Sequence, residues 1–180
     1  KLATKTAKKT GIGLVGIKNS NHYGLSSYFI NQAVKKNCIA LSFTNAPPAI
    51  APYGAKEKLF GTNPISFGTP TSLKAPFIFD SSMSKINRGK IRLAAKHNKR
   101  IPYGVALDKS GKVTTNAKEA LKGTMTPSGG YKGFSTGLMV EILTTCVAGG
   151  RLGTQASSFA AEDGGPPSTG QFFIAIDPKK

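Results

Sequence analysis

His22 lies in the stretch NSNHYG at positions 19–24, and its imidazole could exchange a proton at physiological pH. The apolar run at 12–17 predicts a buried strand before it, and helical spacing of apolar residues over 25–33 predicts a helix after it. A second apolar run at 39–43 completes a strand–helix–strand unit, which favours parallel strands and a right-handed crossover. His22 would then lie beyond the carboxyl end of a strand, where open α/β sheets bind ligands.

Two roles are open for His22 on these residues alone. The positive end of the predicted helix disfavours a charged ring, so a neutral imidazole that accepts a proton at about pH 7 is expected. The structural alternative is a histidine that caps the helix or packs against it. The choice depends on which other groups reach the same sheet edge. The proline-rich loop TNAPP at 44–48 follows the second strand and is predicted to lie at that edge.

A carboxylate and two hydroxyls follow another predicted strand, at 76–79. These are Asp80, Ser81 and Ser82, and helical spacing resumes over 86–97. The serines can cap that helix, and the free amides at its start would suit a phosphate or carboxylate. Asp80 can accept hydrogen bonds from a ribose. Helix capping alone explains these residues equally well.

The glycine-rich segment PSGGYKG at 127–133 leads into a helical pattern that continues to Cys146. Glycines before a helix let the backbone approach a ligand closely, and the first amides of the helix favour an anion. Lys132 in the first turn opposes the helix dipole, at a cost of roughly a few tenths of a kcal/mol. That placement is reasonable if Lys132 meets a phosphate or a substrate carboxylate.

The charge of the chain raises a different function class. Its 180 residues hold 25 Lys and Arg against 8 Asp and Glu, a net charge of +17, so a basic nucleic-acid-binding module is the alternative function. The lysines are scattered rather than clustered. The segment KGFSTGLM at 132–139 begins like an RNA-recognition core motif but has Thr136 and Met139 where aromatic residues should stack on bases. Specific nucleic-acid binding is therefore not predicted.

Several familiar sites are absent from the sequence. The segment GIGLVG at 11–16 matches a dinucleotide fingerprint formally, but its glycines lie inside a predicted strand that follows a Lys-rich helical segment, so the match is accidental. Cys38 and Cys146 stand alone, which predicts two buried reduced thiols in a cytosolic protein and no metal site. With no apolar run of about 18 residues, the sequence predicts no membrane helix.

Seven short motifs, taken together, resemble the malate/L-lactate dehydrogenase family, which also holds ureidoglycolate dehydrogenase, diketogulonate reductase and sulfolactate dehydrogenase. Segments 157–159, 165–167 and 170–172 look most like the sulfolactate dehydrogenases. The seven motifs are NSNHYG (19–24), TNAPP (44–48), GTNP (61–64), DSSMS (80–84), IP (101–102), DKSG with TT (108–111 and 114–115) and GGYKG (129–133).

The resemblance implies an α/β fold with a mixed sheet and flanking helices, the non-Rossmann NAD(P)-binding fold of that family. It implies one NAD(P)-binding domain over residues 1–180. The reaction would be hydride transfer between a small anionic 2-hydroxy acid, such as malate, lactate or sulfolactate, and its 2-oxo acid. The cofactor would be NAD or NADP, and the enzyme a cytoplasmic homodimer without a specific nucleic-acid or membrane partner.

The resemblance also carries site residues over to this sequence. His22 matches a family histidine proposed as an acid/base group. A second family histidine and an arginine for the substrate carboxylate have no counterpart here. We therefore expect an internal fragment of a longer chain, lacking N- and C-terminal segments and showing little or no activity alone. The residues matched to the cofactor site are Ala46, Asp80, Ser81, Ser82, Lys132 and Gly133.

Overall fold

A computed structural model describes residues 1–159 and 165–180. The α-helices are α1 (Leu2–Thr10), α2 (Ser26–Val34), α3 (Arg88–Lys96), α4 (Ala117–Lys122) and α5 (Tyr131–Ile142). The strands are β1 (Ile12–Ser20), β2 (Ile39–Thr44), β3 (Ile65–Thr69), β4 (Phe77–Ser81), β5 (Ala106–Leu107), β6 (Thr124–Met125) and β7 (Thr169–Ile176). A π-helical turn (Leu143–Val147) continues α5, and a 3₁₀ turn (Gly153–Gln155) follows.

The main sheet has the strand order β1-β7-β2-β3-β4, and each hydrogen-bonded pair in it is antiparallel. The predicted strand–helix–strand unit forms, and β1 and β2 run in the same direction. They are not hydrogen-bonded to each other, however, because β7 lies between them. Hydrophobic periodicity predicts a strand but not its pairing partner, so the place of β7 could not be read from the pattern.

Helices cover both faces of this sheet, which confirms the predicted α/β architecture. On one face, α1 and α2 bury apolar side chains against β2 and β7; Ala7, Ile30 and Ala175 are in this cluster. The α2 helix comes so close to β3 that a Cβ at Gly68 would lie 2.4 Å from Cγ2 of Ile30. On the other face, Val140 of α5 packs in a cluster with residues of β2 and β7.

A second core lies beside the sheet, in a smaller lobe that consists of residues 49–60 and 86–126. Ile50, Ile91 and Met125 are fully buried there among residues of α3, α4 and the β5–β6 pair. The rings of Phe60 and Phe134 stack with centroids 5.3 Å apart. Helix α5 therefore contacts both cores and joins the lobe to the sheet.

Local features follow the sequence in most places. Asn37 has the predicted left-handed backbone, with φ of 55°. Gly11 lies between α1 and β1, and Gly13 and Gly16 lie inside β1, so this segment does not form a phosphate-binding loop before a helix. Residues 132–139 are helical, as their pattern predicted.

Two predictions of burial are wrong. The strand predicted to be buried, β1, is mostly exposed, with Ile12 at 49% and Leu14 at 57%, because it lies at the edge of the sheet. Cys146 is exposed on the π-helical turn, whereas Cys38 is buried as predicted. Within the described residues, no helix is long and apolar enough to cross a membrane.

Candidate active site

One end of the five-stranded sheet gathers residues from distant parts of the sequence. We call it the site end. The chain segments that carry His22, Ala46 and Ser82 follow β1, β2 and β4 there, which confirms that the loop 44–48 shares an edge with His22. The ladder pairs at this end are Ser20–Thr169, Thr44–Gln171 and Ile65–Ser81.

His22 is exposed at the site end, shortly before α2. It does not cap that helix, whose N-cap is Leu25. Its Nδ1 accepts a hydrogen bond from the Gly24 amide at 3.1 Å, so the neutral ring carries its proton on Nε2. The ring meets Phe159 edge-on, with centroids 5.4 Å apart. The imidazole therefore offers a hydrogen-bond donor, and action as a base at Nε2 would require the other tautomer and loss of the Gly24 contact.

Tyr23 anchors the segment that carries His22. Its hydroxyl is hydrogen-bonded to Ser26 at 2.7 Å and to Ser42 at 3.0 Å, and so ties the start of α2 to β2. Burial raises the pKa of Tyr23, the two serine hydrogen bonds oppose that shift, and the nearby Asp80 carboxylate adds to it. Tyr23 is thus a neutral anchor that fixes the chain beside His22.

Asp80 caps a different helix from the one that its place in the sequence suggested. Its Oδ2 accepts a hydrogen bond from the Ser27 amide at 2.7 Å, in the first turn of α2. A carboxylate at this position satisfies one of the free amides of the helix and complements its dipole. Within the described residues Oδ1 has no hydrogen-bond partner, so one oxygen can still accept from a ligand.

Ser81 and Ser82 do not cap the helix that follows them, which corrects the expectation from sequence. Helix α3 begins only at Arg88, and Asn87 caps it by accepting from the Lys90 amide at 2.7 Å. The hydroxyl of Ser82 instead forms a local turn with Ser84, at 3.2 Å. The serines therefore remain half-buried at the site end rather than in the first turn of a helix.

The start of α5 packs against this same edge. The Ser128 amide donates to the carbonyl of Met83 at 2.9 Å, and the Met83 amide donates to the carbonyl of Thr62 at 2.7 Å. A Cβ at Gly133 would lie 1.7 Å from the Ser128 carbonyl oxygen, so only glycine permits this approach. Lys132 is exposed, and its ammonium has no carboxylate partner among the described residues.

Beneath these loops lies a buried carboxylate, Glu141, on the inner side of α5. Its Oε2 accepts from Nδ2 of Asn63 at 2.7 Å, and its Oε1 accepts from the Gly153 amide at 2.5 Å and from Nδ2 of Asn45 at 3.4 Å. Within the described residues no cation pairs with it. Among the described residues, only amide groups donate to this carboxylate. We call Glu141 and its three donors, Asn45, Asn63 and Gly153, the Glu141 cluster.

The Glu141 cluster holds the site loops in register with α5. Asn45 precedes Ala46 directly and also accepts from the Gly170 amide at 2.9 Å through its Oδ1. Asn63 has a left-handed backbone, with φ of 36°, and its Nδ2 also donates to the Gly137 carbonyl at 3.0 Å. The loops after β2 and before β3 are therefore fixed by side-chain amides.

The sequence indicated these asparagines only as members of the TNAPP and GTNP motifs, and Glu141 only as one position in the helical pattern that continues to Cys146. A signal was present in the sequence, because helical spacing sets Glu141 in line with Phe134 and Leu138, on the predicted apolar face of the helix. A carboxylate on an apolar helix face needs donors, and buried asparagines are suitable ones. Nothing in the sequence indicated which loops would supply them.

The sequence is similar to those of known dehydrogenases. The family model described as malate/L-lactate dehydrogenase matches residues 1–180. The (2R)-3-sulfolactate dehydrogenase (NADP(+)) of Chromohalobacter salexigens is 43% identical over 176 residues, covering 98% of this chain and 53% of that protein. The malate/(S)-sulfolactate dehydrogenase of Methanothermus fervidus is 39% identical over 180 residues, covering 100% of this chain and 52% of that protein. The chain thus spans about half the length of the curated relatives it matches.

Solved structures are similar over the same extent. Sulfolactate dehydrogenase from Methanocaldococcus jannaschii superposes with a TM-score of 0.89 at 39% identity, covering 99% of this chain and 51% of that one. A malate dehydrogenase from Entamoeba histolytica gives a TM-score of 0.90 at 30% identity, covering 98% of this chain and 52% of that one.

Proposed function

This chain belongs to the malate/L-lactate dehydrogenase family, and on that premise we propose that it is part of a nicotinamide-dependent oxidoreductase. The reaction interconverts a 2-hydroxy acid and its 2-oxo acid by hydride transfer. The substrate is a small anion of the malate, lactate or sulfolactate type, and the cofactor is NAD or NADP. Relatives named for sulfolactate and malate support a substrate of this kind.

One observation carries the proposal: an exposed ammonium and the first amides of a helix lie at the sheet end that also bears His22. Lys132 is in the first turn of α5, and the backbone of Gly130 has φ of 64° just before it. Helix amides and a lysine that has no carboxylate partner among the described residues are a donor set suited to a pyrophosphate or a carboxylate. The residues present therefore fit a dinucleotide and an anionic substrate.

The bound nicotinamide would supply or remove the hydride. Lys132 and the first amides of α5 would hold the phosphates, and the free oxygen of Asp80 would accept from a ribose hydroxyl. The segments around Ala46, Ser81, Ser82 and Gly133 would supply backbone contacts. His22, with its proton on Nε2, would donate a hydrogen bond to the 2-oxo group and so favour the charge that develops on that oxygen.

The remaining expectations belong to the same proposal. Residues 1–180 serve as one NAD(P)-binding domain, with further segments of a longer chain completing the substrate site. The working form is a homodimer in the cytoplasm. Net charge of +17 favours the approach of anionic substrates and cofactors over neutral ones.

The test is a fluorescence titration of NADH and of NADPH into this chain at physiological salt, beside Lys132→Ala. Loss of one charge-assisted contact of about 1.5–3 kcal/mol predicts affinity roughly 10- to 100-fold weaker for both cofactors. The matched control is Lys36→Ala, which removes the same charge after α2, at the opposite end of the sheet. This control should bind as the unaltered chain does.

Two results would contradict the proposal. One is the absence of saturable binding of either cofactor at roughly millimolar concentration. The other is equal weakening in the Lys132 and Lys36 variants, accompanied by salt-sensitive binding of an unrelated single-stranded DNA. That second result would favour the basic nucleic-acid module, whose affinity should fall gradually with every lysine removed.

A further inference from the structure

An open cleft of about 490 Å³ lies between the smaller lobe and the start of α5. We call it the Tyr53 cleft. Its walls include Pro52, Tyr53, Leu107 and Val113, and Gly130 forms its border with α5. Its volume falls within the usual range for small-molecule sites, about 300–1,000 Å³. The cleft adjoins the site end, but none of the residues that we matched to the cofactor site lines it.

The cleft is continuous with the place proposed for the phosphates. Gly130 lines the cleft and is also the N-cap of α5, two positions before Lys132. A dinucleotide whose pyrophosphate lies at the start of α5 must direct its adenosine away from the site end. The Tyr53 cleft is the cavity that opens from that point.

The walls of the cleft suit a purine ring. Tyr53 is 65% exposed, and its ring contacts that of Tyr131 edge-on, with centroids 6.3 Å apart. A Cβ at Gly130 would lie 3.3 Å from the Tyr53 ring, so the ring lies close above the α5 N-cap. Such an aromatic face beside apolar walls is what a flat heteroaromatic ligand stacks on.

The charge on the walls of the cleft is positive. Among the described residues that line the cleft, Lys85 alone is charged, and its Nζ donates to the Gly104 carbonyl at 3.2 Å. Thr126 donates to the same carbonyl at 2.8 Å, so this oxygen holds both side chains on one wall. In dinucleotide sites, a carboxylate that accepts from the ribose 2′-hydroxyl favours NAD, and a cation accommodates the 2′-phosphate of NADP.

From this geometry, and resting on the proposed function, we infer that the Tyr53 cleft binds the adenosine end of the cofactor. Lys85 contacts the 2′-phosphate, and the protein accordingly prefers NADP(H) to NAD(H). Lys85 is thus a specificity residue that touches the cofactor far from the atoms that react.

The experiment measures the NADH and NADPH dissociation constants for the unaltered chain and for Lys85→Ala. The expected result is NADPH affinity weakened about 10- to 100-fold with NADH affinity unchanged, so that the preference disappears. Lys132→Ala is the contrasting variant, since it should weaken both cofactors equally. Adenosine 2′,5′-bisphosphate is the direct probe: it should compete with NADPH, and adenosine 5′-monophosphate should compete more weakly.

A second variant tests the cleft without touching charge. Val113→Trp places a large ring on the cleft wall at a position that is 44% exposed, so the fold should tolerate it. It should weaken both cofactors by excluding the purine. If both cofactors bind and neither Lys85→Ala nor Val113→Trp alters their affinities, the inference is wrong and the proposed function stands. If neither cofactor nor the bisphosphate binds, both are wrong.

Discussion

The charged residues near the two ends of α5 lie in opposite environments. Near its C-terminal end, Glu141 is buried and accepts hydrogen bonds from two side-chain amides and one backbone amide. In its first turn, Lys132 is exposed and has no carboxylate partner among the described residues. One charge is fully used by the protein itself, and the other is available to a ligand.

Glu141 therefore fixes the positions of the surrounding loops, whereas Lys132 is the residue of α5 that can bind a ligand. A buried carboxylate without donors would be very unfavourable, so its loops must keep their positions whenever the chain is folded. An exposed ammonium loses little when it has no partner, because water solvates it. Removing each charge should therefore affect different measurements. Four experiments, ordered from the largest expected effect to the smallest, test this difference and the contacts that accompany it.

Replacing Glu141 should destabilise the fold by disrupting the Glu141 cluster. Glu141→Leu leaves the Gly153 amide buried without its acceptor and removes a charge-assisted bond from Asn63, so the free energy of unfolding should fall by about 3–5 kcal/mol. Urea denaturation followed by circular dichroism measures this change. Lys132→Ala on the same helix is the control and should alter stability by less than about 0.5 kcal/mol. Similar values for the two variants would refute the contrast.

Glu141→Gln should not restore the cluster. Nδ2 of Asn63 donates both to Glu141 and to the Gly137 carbonyl, so its amide cannot turn over to accept from the new glutamine. The glutamine must then place its own NH₂ against a donor. An intermediate loss of stability is expected, and a variant as stable as the unaltered chain would show that the negative charge is not needed.

The close approach at the start of α5 can be tested next. Alanine favours helices over glycine by about 1 kcal/mol, yet at Gly133 its Cβ would meet the Ser128 carbonyl. Gly133→Ala should therefore destabilise the chain by about 1–3 kcal/mol. Gly89→Ala, early in α3, is the matched control, since the nearest atom there lies 3.4 Å away. Thermal unfolding should show opposite or clearly unequal shifts for the two alanines.

The smallest effect concerns the pH dependence of stability. Asp177 lies 3.0 Å from Lys8, and the hydrogen bond from Lys8 is the main cause that lowers the pKa of Asp177. A lowered folded-state pKa stabilises the protein above the unfolded-state pKa, and this contribution is lost as pH falls through the folded-state value. Asp177→Asn should flatten acid unfolding below about pH 4, while Glu119→Gln, an exposed pair with Lys122, should change it less.

Sequence patterns predicted the elements of this fold better than their partners. The strands around His22 and the left-handed Asn37 followed from periodicity and turn chemistry, which act over a few residues. The position of β7 between β1 and β2 did not, since pairing is decided by the whole chain. The site followed the same rule. Motif residues lie at one sheet end, but the cap formed by Asp80 on α2 joins segments that are remote in sequence.

The Glu141 cluster shows why the rest could not be predicted. Asn45, Asn63 and Gly153 come from three loops, and each contributes one donor to a single carboxylate. Each loop on its own reads as a turn. Only tertiary packing reveals that one acidic side chain requires all three of them.

The position of β7 between β1 and β2 has a consequence for biosynthesis. The four other described strands of this sheet leave the ribosome before β7, so β1 and β2 cannot complete their pairing until Thr169–Ile176 emerges. Contacts between such distant segments form slowly, and open strand edges invite pairing with other chains. We expect nascent chains that stop short of β7 to aggregate or to bind chaperones, and β1 and β2 to be joined in one sheet only after β7 is available.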